Sequence, residues 1–213
     1  MKIRIIYDNT AADPALRANW GFSCLVETEA GTLLFDTGAD GAILMDNIRK
    51  MEFDPRRVDA VLISHAHFDH IGGLAAFLKI HPAPVYLTPD APAPESAAEV
   101  IRVTESGPIR RNVHTTGPLA GIEQSLYLRD GDRGVLVVGC AHPGLPAIFE
   151  AVRAVGPVTH VIGGLHEFAA FALLEGITLI CPTHCTFFKA RIRSIFPDAY
   201  VEGGAGRIID IGS

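Results

Sequence analysis

The feature that most constrains this chain is a cluster of metal-capable side chains placed directly after a buried, strand-like run that ends at Ile63. The cluster is the segment Ser64-His65-Ala66-His67-Phe68-Asp69-His70-Ile71-Gly72-Gly73. In an extended segment, side chains two residues apart point the same way, so His65 and His67 are predicted to share one metal ion. Asp69 and His70 follow where the chain turns into a helix, and they can serve a second ion. Imidazole and carboxylate donors suit zinc, manganese or iron.

One loop cannot complete the coordination of a metal, so further donors are expected elsewhere in the chain. Three other histidines follow apolar, strand-like runs: His142, His166 and His184. Loops just beyond strand ends commonly carry the functional side chains of α/β proteins. The remaining histidines, His81, His114 and His160, lack this context, and capping of a helix end explains His81. We therefore predict His142, His166 and His184 as additional metal ligands.

Strand-like and helix-like runs alternate along the chain, which predicts the α/β class with a sheet contributed by each half. Asp40 is the predicted N-cap of a helix over 41–51, and further helices are expected over 74–80 and 146–155. Residues 89–119 contain five prolines and are predicted to form a long loop with one short helix near 97–103. Strands are predicted at 2–5, 22–27, 32–35, 58–63, 125–128, 134–138, 160–162, 177–180, 199–201 and 207–211. A length of 213 residues predicts one domain over 1–213.

Composition narrows the possible partners. There are 18 Lys and Arg residues against 24 Asp and Glu, giving a net charge of −6, so the basic footprint of a nucleic-acid-binding domain is absent. The sequence has neither an apolar run long enough for a membrane helix nor an apolar signal segment at its start. We therefore expect a cytoplasmic protein that acts on a small molecule, without nucleic-acid or membrane partners. The oligomeric state is left open.

Four cysteines in a chain of this size do not predict a disulfide framework. Packing as small hydrophobic side chains is the simplest interpretation. Cys181 and Cys185 flank His184, which keeps a redox or ligand role open for them.

Taken together, these motifs resemble those of the metallo-β-lactamase superfamily. The resemblance rests on Leu33-Leu34-Phe35-Asp36-Thr37-Gly38, on the His65-to-His70 motif and on the later histidines in the expected order. Within the superfamily, three segments resemble the subgroup named after dihydropterin-ribofuranosyl-aminobenzene-phosphate synthase. They are Cys140-Ala141-His142-Pro143-Gly144, Gly163-Gly164-Leu165-His166 and Pro182-Thr183-His184-Cys185-Thr186.

The resemblance implies a four-layer αβ/βα sandwich and two divalent metal ions, with zinc expected and manganese or iron as alternatives. It implies that one ion is bound by His65, His67 and His142, and that the other is bound by Asp69, His70 and His184. Asp36 would hydrogen-bond a ligand histidine and fix its orientation. Hydrolytic members usually carry a bridging aspartate between the third and last histidine motifs. This chain offers His166 and Glu167 there and has no Asp between 132 and 198.

The implied activity is metal-dependent hydrolysis of an ester, phosphoester, thioester or amide bond in a small molecule, which is pterin-like or phosphorylated in one version of this hypothesis. Asp69 and His184 are the predicted catalytic residues, acting on the attacking water and on the substrate oxygen. Two alternatives stay open: an iron-dependent oxidoreductase on the same scaffold, and a non-catalytic carrier of a small molecule.

Substrate specificity is expected to come from outside the metal ligands. Arg102, Arg110 and Arg111 are candidate anion contacts, with solvated surface positions as the alternative. Trp20 is predicted either to form an aromatic wall for a ring-containing substrate or to have a packing role.

Overall fold

The computed structural model describes residues 1–212, which divide into two compact units. Unit 1 comprises residues 1–104 and the C-terminal segment from residue 203, and unit 2 comprises residues 105–202. Each unit contains one mixed β-sheet with helices, so the α/β class and the expectation of a sheet from each half are confirmed. The single-domain organisation over 1–213 stays a prediction.

The sheet of unit 1 has seven strands in the order β13-β1-β2-β3-β4-β5-β6. Strands β1, β2, β3 and β13 pair antiparallel, whereas β3 to β6 run parallel. The strands are β1 (Lys2–Tyr7), β2 (Ser23–Thr28), β3 (Gly31–Phe35), β4 (Ala60–Leu62), β5 (Pro84–Leu87), β6 (Glu99–Arg102) and β13 (Ile208–Asp210). The helices are α1 (Gly41–Lys50), α2 (Phe68–Ile71) and α3 (Leu74–Ile80), with a 3₁₀ turn at Pro55–Arg57.

Helix α1 forms where the sequence predicts it, because its cap and its apolar face agree. The Asp40 carboxylate accepts hydrogen bonds from the backbone N–H groups of Ala42 and Ile43, which satisfies two donors at the helix start. Leu44 and Ile48 lie one turn apart and are buried with the apolar side of α3 against the sheet. This packing leaves the carboxyl ends of β3 and β4 leading directly into the Asp36 and His65 segments.

The sheet of unit 2 has six strands in the order β12-β11-β10-β9-β8-β7. Strands β10, β11 and β12 run parallel, and β7 to β10 pair antiparallel. The strands are β7 (Gly107–Arg110), β8 (Val113–Thr115), β9 (Leu126–Asp130), β10 (Arg133–Val138), β11 (His160–Gly164) and β12 (Leu179–Thr183). The helices are α4 (Leu145–Val152) and α5 (Lys189–Ile195), with a 3₁₀ turn at Phe171–Leu174.

The prediction for residues 89–119 is wrong in its local structure. The segment contains three strands, β6, β7 and β8, and no helix forms at 97–103. Strand β6 forms because its backbone pairs with β5, where Val85 lies opposite Val100. The predicted strand at 199–201 is reduced to a single bridge between Tyr200 and Ile180.

Two further features concern the cysteines and the lengths of the helices. All four cysteines lie within the described residues, and each carries a thiol rather than a disulfide. Across residues 1–212, no helix combines the length and the apolar character that a membrane crossing requires.

Candidate metal centre

The first histidine pair of unit 1 converges as the extended spacing predicts. His65 follows β4, and His67 occupies the extended position just before α2. The His65 Nε2 and His67 Nδ1 atoms lie 3.0 Å apart. Two zinc–nitrogen bonds of about 2.0 Å across a tetrahedral angle separate their nitrogens by about 3.3 Å, so this pair fits a shared metal ion. Ser64 Oγ contacts the other ring nitrogen of His65 at 2.8 Å and thereby orients the ring.

Asp36 organises the other half of the unit 1 cluster. It is fully buried, and its carboxylate accepts hydrogen bonds from the backbone N–H and the hydroxyl of Ser64 at 2.6 and 2.7 Å. The same carboxylate contacts Nδ1 of His70 at 2.7 Å. The hydrogen bond to a motif histidine that the resemblance implied for Asp36 is therefore present. With Nδ1 engaged in this way, Nε2 is the ring atom of His70 that suits a metal.

Asp69 lies beside His70, with 3.9 Å between its Oδ2 atom and His70 Nε2. The indole N–H of Trp20 donates to the same Oδ2 atom at 2.9 Å. Trp20 is 52% exposed, so it is not part of the buried core. Trp20 instead orients the carboxylate of Asp69, a predicted catalytic residue. No local motif in the sequence predicts this contact. The aromatic-wall role stays a prediction.

Unit 2 gathers its predicted ligands at the carboxyl ends of three neighbouring parallel strands. The register pairs Val138 with Gly163 and Gly164 with Thr183, so β10, β11 and β12 end at the same edge of the sheet. His142, His166 and His184 follow these three strand ends. The edge of a parallel sheet at its strand carboxyl ends is a common position for functional side chains in α/β proteins.

Backbone strain marks two of these positions. His166 and His184 adopt φ angles of +47° and +45°, a left-handed region that histidine rarely occupies. Such conformations cost free energy and persist where the surrounding structure over-determines them, often at functional sites. The His142 and His166 rings contact each other with 5.2 Å between centroids. They border a cavity of about 270 Å³ whose wall includes Leu145 and Phe168.

Glu123 holds the loop that carries His142. Its buried carboxylate accepts hydrogen bonds from three successive backbone N–H groups: Oε1 from Cys140 and Ala141 at 2.9 and 3.0 Å, and Oε2 from His142 at 2.9 Å. Ala141 at the centre of this turn has a φ of +60°. Sequence reasoning missed Glu123, because it lies 17 to 19 residues before the amides that it binds and belongs to no recognisable motif.

Two thiols lie within the unit 2 site. Cys140 is buried, and its sulfur is within 4.8 Å of a ring nitrogen of His142 and of a ring nitrogen of His184. The Cys185 thiol lies 3.9 Å from the Cys140 carbonyl oxygen. A hydrogen bond with the Cys140 side chain holds the pKa of the Cys185 thiol below its usual value, against the opposing effect of burial. Packing alone therefore does not describe the surroundings of Cys140 and Cys185.

The structure describes the surroundings of two other residues considered in the sequence, Arg102 and His81. Arg102 is engaged in unit 1, where its guanidinium donates to the carbonyl oxygens of Thr88 and Ala91. Arg102 is nevertheless exposed, as the surface alternative expects, and anion binding by Arg102, Arg110 and Arg111 stays a prediction. His81 lies at the end of α3 as expected, and its Nε2 atom donates to the Val58 carbonyl at 2.8 Å.

Comparisons with known proteins identify the fold and show which family the chain is similar to. The family model described as the metallo-beta-lactamase superfamily matches residues 21–124. The crystal structure of Tm1679, described as a metal-dependent hydrolase of the beta-lactamase superfamily, is 24% identical with a TM-score of 0.81, and each chain is covered completely. A zinc-bound PqqB from Methylobacterium extorquens is 15% identical with a TM-score of 0.69, covering 99% of this chain and 100% of the other. These likenesses confirm the predicted metallo-β-lactamase fold class.

Two curated relatives come from Methanocaldococcus jannaschii. One is an uncharacterised protein, 26% identical, with 98% of this chain and 100% of the relative aligned. The other is named 7,8-dihydropterin-6-methyl-4-(beta-D-ribofuranosyl)-aminobenzene-5'-phosphate synthase, 27% identical, with 89% of each chain aligned. The second relative agrees with the subgroup that the sequence resembles. The chain has the fold of the metallo-beta-lactamase superfamily and is similar in sequence to its members.

Proposed function

We propose that this protein is a metal-dependent hydrolase that cleaves an ester, phosphoester, thioester or amide bond of a small molecule. The observation that carries the proposal is the arrangement of unit 1, where His65 and His67 present facing ring nitrogens beside a His70 ring fixed by Asp36. Neutral imidazoles oriented by a buried carboxylate and a hydroxyl are the usual surroundings of a catalytic metal. Tm1679, which shares the fold, is described as a metal-dependent hydrolase of the beta-lactamase superfamily.

In this proposal, His65, His67 and His142 bind one divalent ion, and Asp69, His70 and His184 bind the second. His166 remains a further predicted ligand, supported by its contact with His142. Zinc is the ion expected from the nitrogen-rich donor set, with manganese and iron as alternatives. When bound, such ions supply Lewis acidity and a nucleophile at neutral pH.

The residues of the chain then have separable tasks. Asp69 accepts the proton that the attacking water loses, and the Trp20 indole N–H holds the Asp69 carboxylate in position for this step. His184 polarises the substrate oxygen. The new bond joins the water oxygen to the acyl carbon or phosphorus, and the bond to the leaving group breaks as that group takes up a proton.

The substrate class is proposed from the surroundings of the site and from one relative. The cavity of about 270 Å³ beside His142 and His166 is lined mainly by apolar side chains and fits part of a small organic molecule. The name of one relative includes a pterin and a phosphate, which favours a pterin-like or phosphorylated compound here. Nucleic acid is not proposed as a substrate, because the net charge of −6 opposes it.

The test measures metal content and turnover on the same preparations, purified with and without oxygen. We expect about two divalent ions per chain and hydrolysis of at least one member of a panel of phosphodiesters, thioesters and lactones. Chelation should abolish hydrolysis, and added zinc should restore it. His81→Ala serves as the matched control, because the His81 ring binds a backbone carbonyl and should leave metal content unchanged. A metal-free protein that still hydrolyses the substrate would contradict the proposal, and iron with oxygen consumption would favour the oxidoreductase alternative.

A further inference from the structure

The residues of unit 2 also suggest which group replaces the missing bridging carboxylate. The chain has no Asp between 132 and 198, so no aspartate of this region can supply an anionic donor. We propose that Cys140 is a further ligand of the metal centre and binds as a thiolate beside His142 and His184. This inference rests on the proposed function, since it assigns one more ligand to the same metal centre.

Distances within unit 2 carry the first step. The Cys140 sulfur lies within 4.8 Å of a ring nitrogen of His142 and, separately, of a ring nitrogen of His184. Zinc–sulfur and zinc–nitrogen bonds of about 2.3 and 2.0 Å across a tetrahedral angle place the two ligand atoms about 3.5 Å apart. The sulfur–nitrogen distances in unit 2, which are below 4.8 Å, are compatible with this separation. Cys140 is therefore the unit 2 side chain that can be a common neighbour of ions bound by either histidine.

The backbone around Cys140 is held in place before any ion binds. Glu123 accepts the N–H groups of Cys140, Ala141 and His142 and so fixes the spacing between the thiol and the His142 ring. Gly164 allows the close approach on the other side, because a Cβ atom there would lie 2.3 Å from the Gly139 carbonyl oxygen.

The chemistry also balances without an added reagent. Ion binding replaces the S–H bond of Cys140 by a sulfur–metal bond, and the proton leaves to solvent. The thiolate adds one negative charge to a set of neutral histidines and a single carboxylate, which offsets part of the charge of two divalent ions. His166 stays exposed, and its neutral ring cannot supply that charge.

The experiment uses the full chain loaded with cobalt(II), because thiolate ligation gives an intense sulfur-to-cobalt charge-transfer band that imidazole and carboxylate do not give. We expect the band in the wild-type protein and in Cys185→Ser, and its loss in Cys140→Ser. Cys185 is the matched control, since it is a second thiol of the same site. Zinc affinity of Cys140→Ser should fall at least about tenfold, a loss comparable with removal of an outer partner of a ligand.

Each outcome separates the two proposals. A wild-type cobalt protein with bound metal but without the charge-transfer band would overturn the role of Cys140 and leave the hydrolase proposal standing. A band that disappears in Cys185→Ser and persists in Cys140→Ser would also overturn it, by assigning the thiolate to the other cysteine. Failure of the wild-type protein to bind any divalent ion would instead remove the proposed function. The wild-type spectrum requires no substitution. The presence or absence of the charge-transfer band can therefore be measured even if a variant does not fold.

Discussion

The two units place their candidate ligands by different means. In unit 1 they come from one six-residue segment, and side-chain hydrogen bonds from Ser64 and Asp36 orient their rings. In unit 2 they come from three strand ends up to 42 residues apart in sequence, and the loop of His142 is held through its backbone by Glu123. The first arrangement depends on local spacing, whereas the second depends on strand order and register.

This difference explains why the candidate ligands of unit 1 are easier to predict from the sequence than those of unit 2. In unit 1 the candidate ligands lie together in one motif, and the supporting role of Asp36 can be inferred from the family resemblance. The candidate ligands of unit 2 follow three separate strands. Each therefore has to be predicted by itself, in a sequence context that is also typical of an ordinary loop. The residue that supports them, Glu123, can be recognised only once the strands are paired in the folded sheet. The predictions below test whether the two halves nevertheless serve one reaction.

The largest effect is expected at Asp69, the carboxylate of the unit 1 motif. Asp69→Asn keeps the size of the side chain and removes its charge, so the proton of the attacking water loses its acceptor. We expect kcat to fall by about 10²- to 10⁴-fold. Steady-state kinetics measured alongside metal content provide the check. An Asp69→Ala variant with full metal content and full turnover would show that the assigned role is wrong.

The next effect compares the two supports directly, through Asp36→Asn in unit 1 and Glu123→Gln in unit 2. The amide of Gln cannot accept all three N–H groups that Glu123 binds, so one backbone donor near His142 is left facing an N–H. We expect each substitution to weaken binding of one ion by about 10- to 100-fold. Competition titrations with a chromophoric chelator should show the weaker site to be that of His70 in Asp36→Asn and that of His142 in Glu123→Gln.

If both substitutions weakened the same ion, the assignment of ligands to two separate ions would need revision. Unchanged affinity in Glu123→Gln, in a variant that remains folded, would mean that the His142 loop needs no such support. The comparison between the units would then lose its basis.

Several elements of the fold could be predicted because their signals are local. The Asp40 cap and the spacing of Leu44 and Ile48 define α1, and the apolar run before Ser64 defines the strand that leads into the motif. The strands within 89–119 could not be predicted in the same way. Strand β6 exists because β5 offers it a parallel partner, and the sequence of β6 alone does not reveal that edge.

The site shows the same division. His65, His67, Asp69 and His70 were predictable from their spacing, and the structure brings them together. The contact of Trp20 with Asp69 joins residues 49 positions apart, and only the folded chain reveals it. Glu123 was missed for the same reason, since it lies 17 to 19 residues before the amides that it binds.

A smaller effect is expected from Trp20→Phe, which removes the indole N–H donor to Asp69 and keeps an aromatic ring. Loss of one hydrogen bond worth about 0.5–1.5 kcal/mol predicts a fall in kcat of roughly 2- to 12-fold. Metal content should stay at the wild-type level. Pre-steady-state or steady-state rates on the preferred substrate test this, and a loss as large as that of Asp69→Asn would indicate that Trp20 contacts the substrate itself.

The smallest effect concerns stability in unit 2 and lies away from the candidate ligands. Burial, with the nearby charge of Arg133, lowers the pKa of His160 below its usual value of 6.5. The unfolded chain therefore binds more protons than the folded chain as the pH falls below about 6.5, and the free energy of unfolding should decrease. His114 is half-buried, and desolvation lowers its pKa in the same direction.

Urea unfolding at about pH 7.5 and 5.5 measures this dependence. In His160→Gln the decrease toward acidic pH should be smaller than in the wild-type protein, because one of the contributing groups no longer titrates. An equal decrease in both proteins would assign the pH dependence to other groups.

The central proposal is that His65 and His142 are ligands of one metal ion, and the metal stoichiometry of a double mutant tests it most directly. His65→Ala, His142→Ala and the double mutant are each loaded with zinc, separated from excess metal and analysed for zinc per folded chain. Because the two residues are proposed as ligands of one ion, we expect all three variants to lose the same single equivalent. Losses that add to two equivalents in the double mutant, or full zinc content in His142→Ala, would contradict the account.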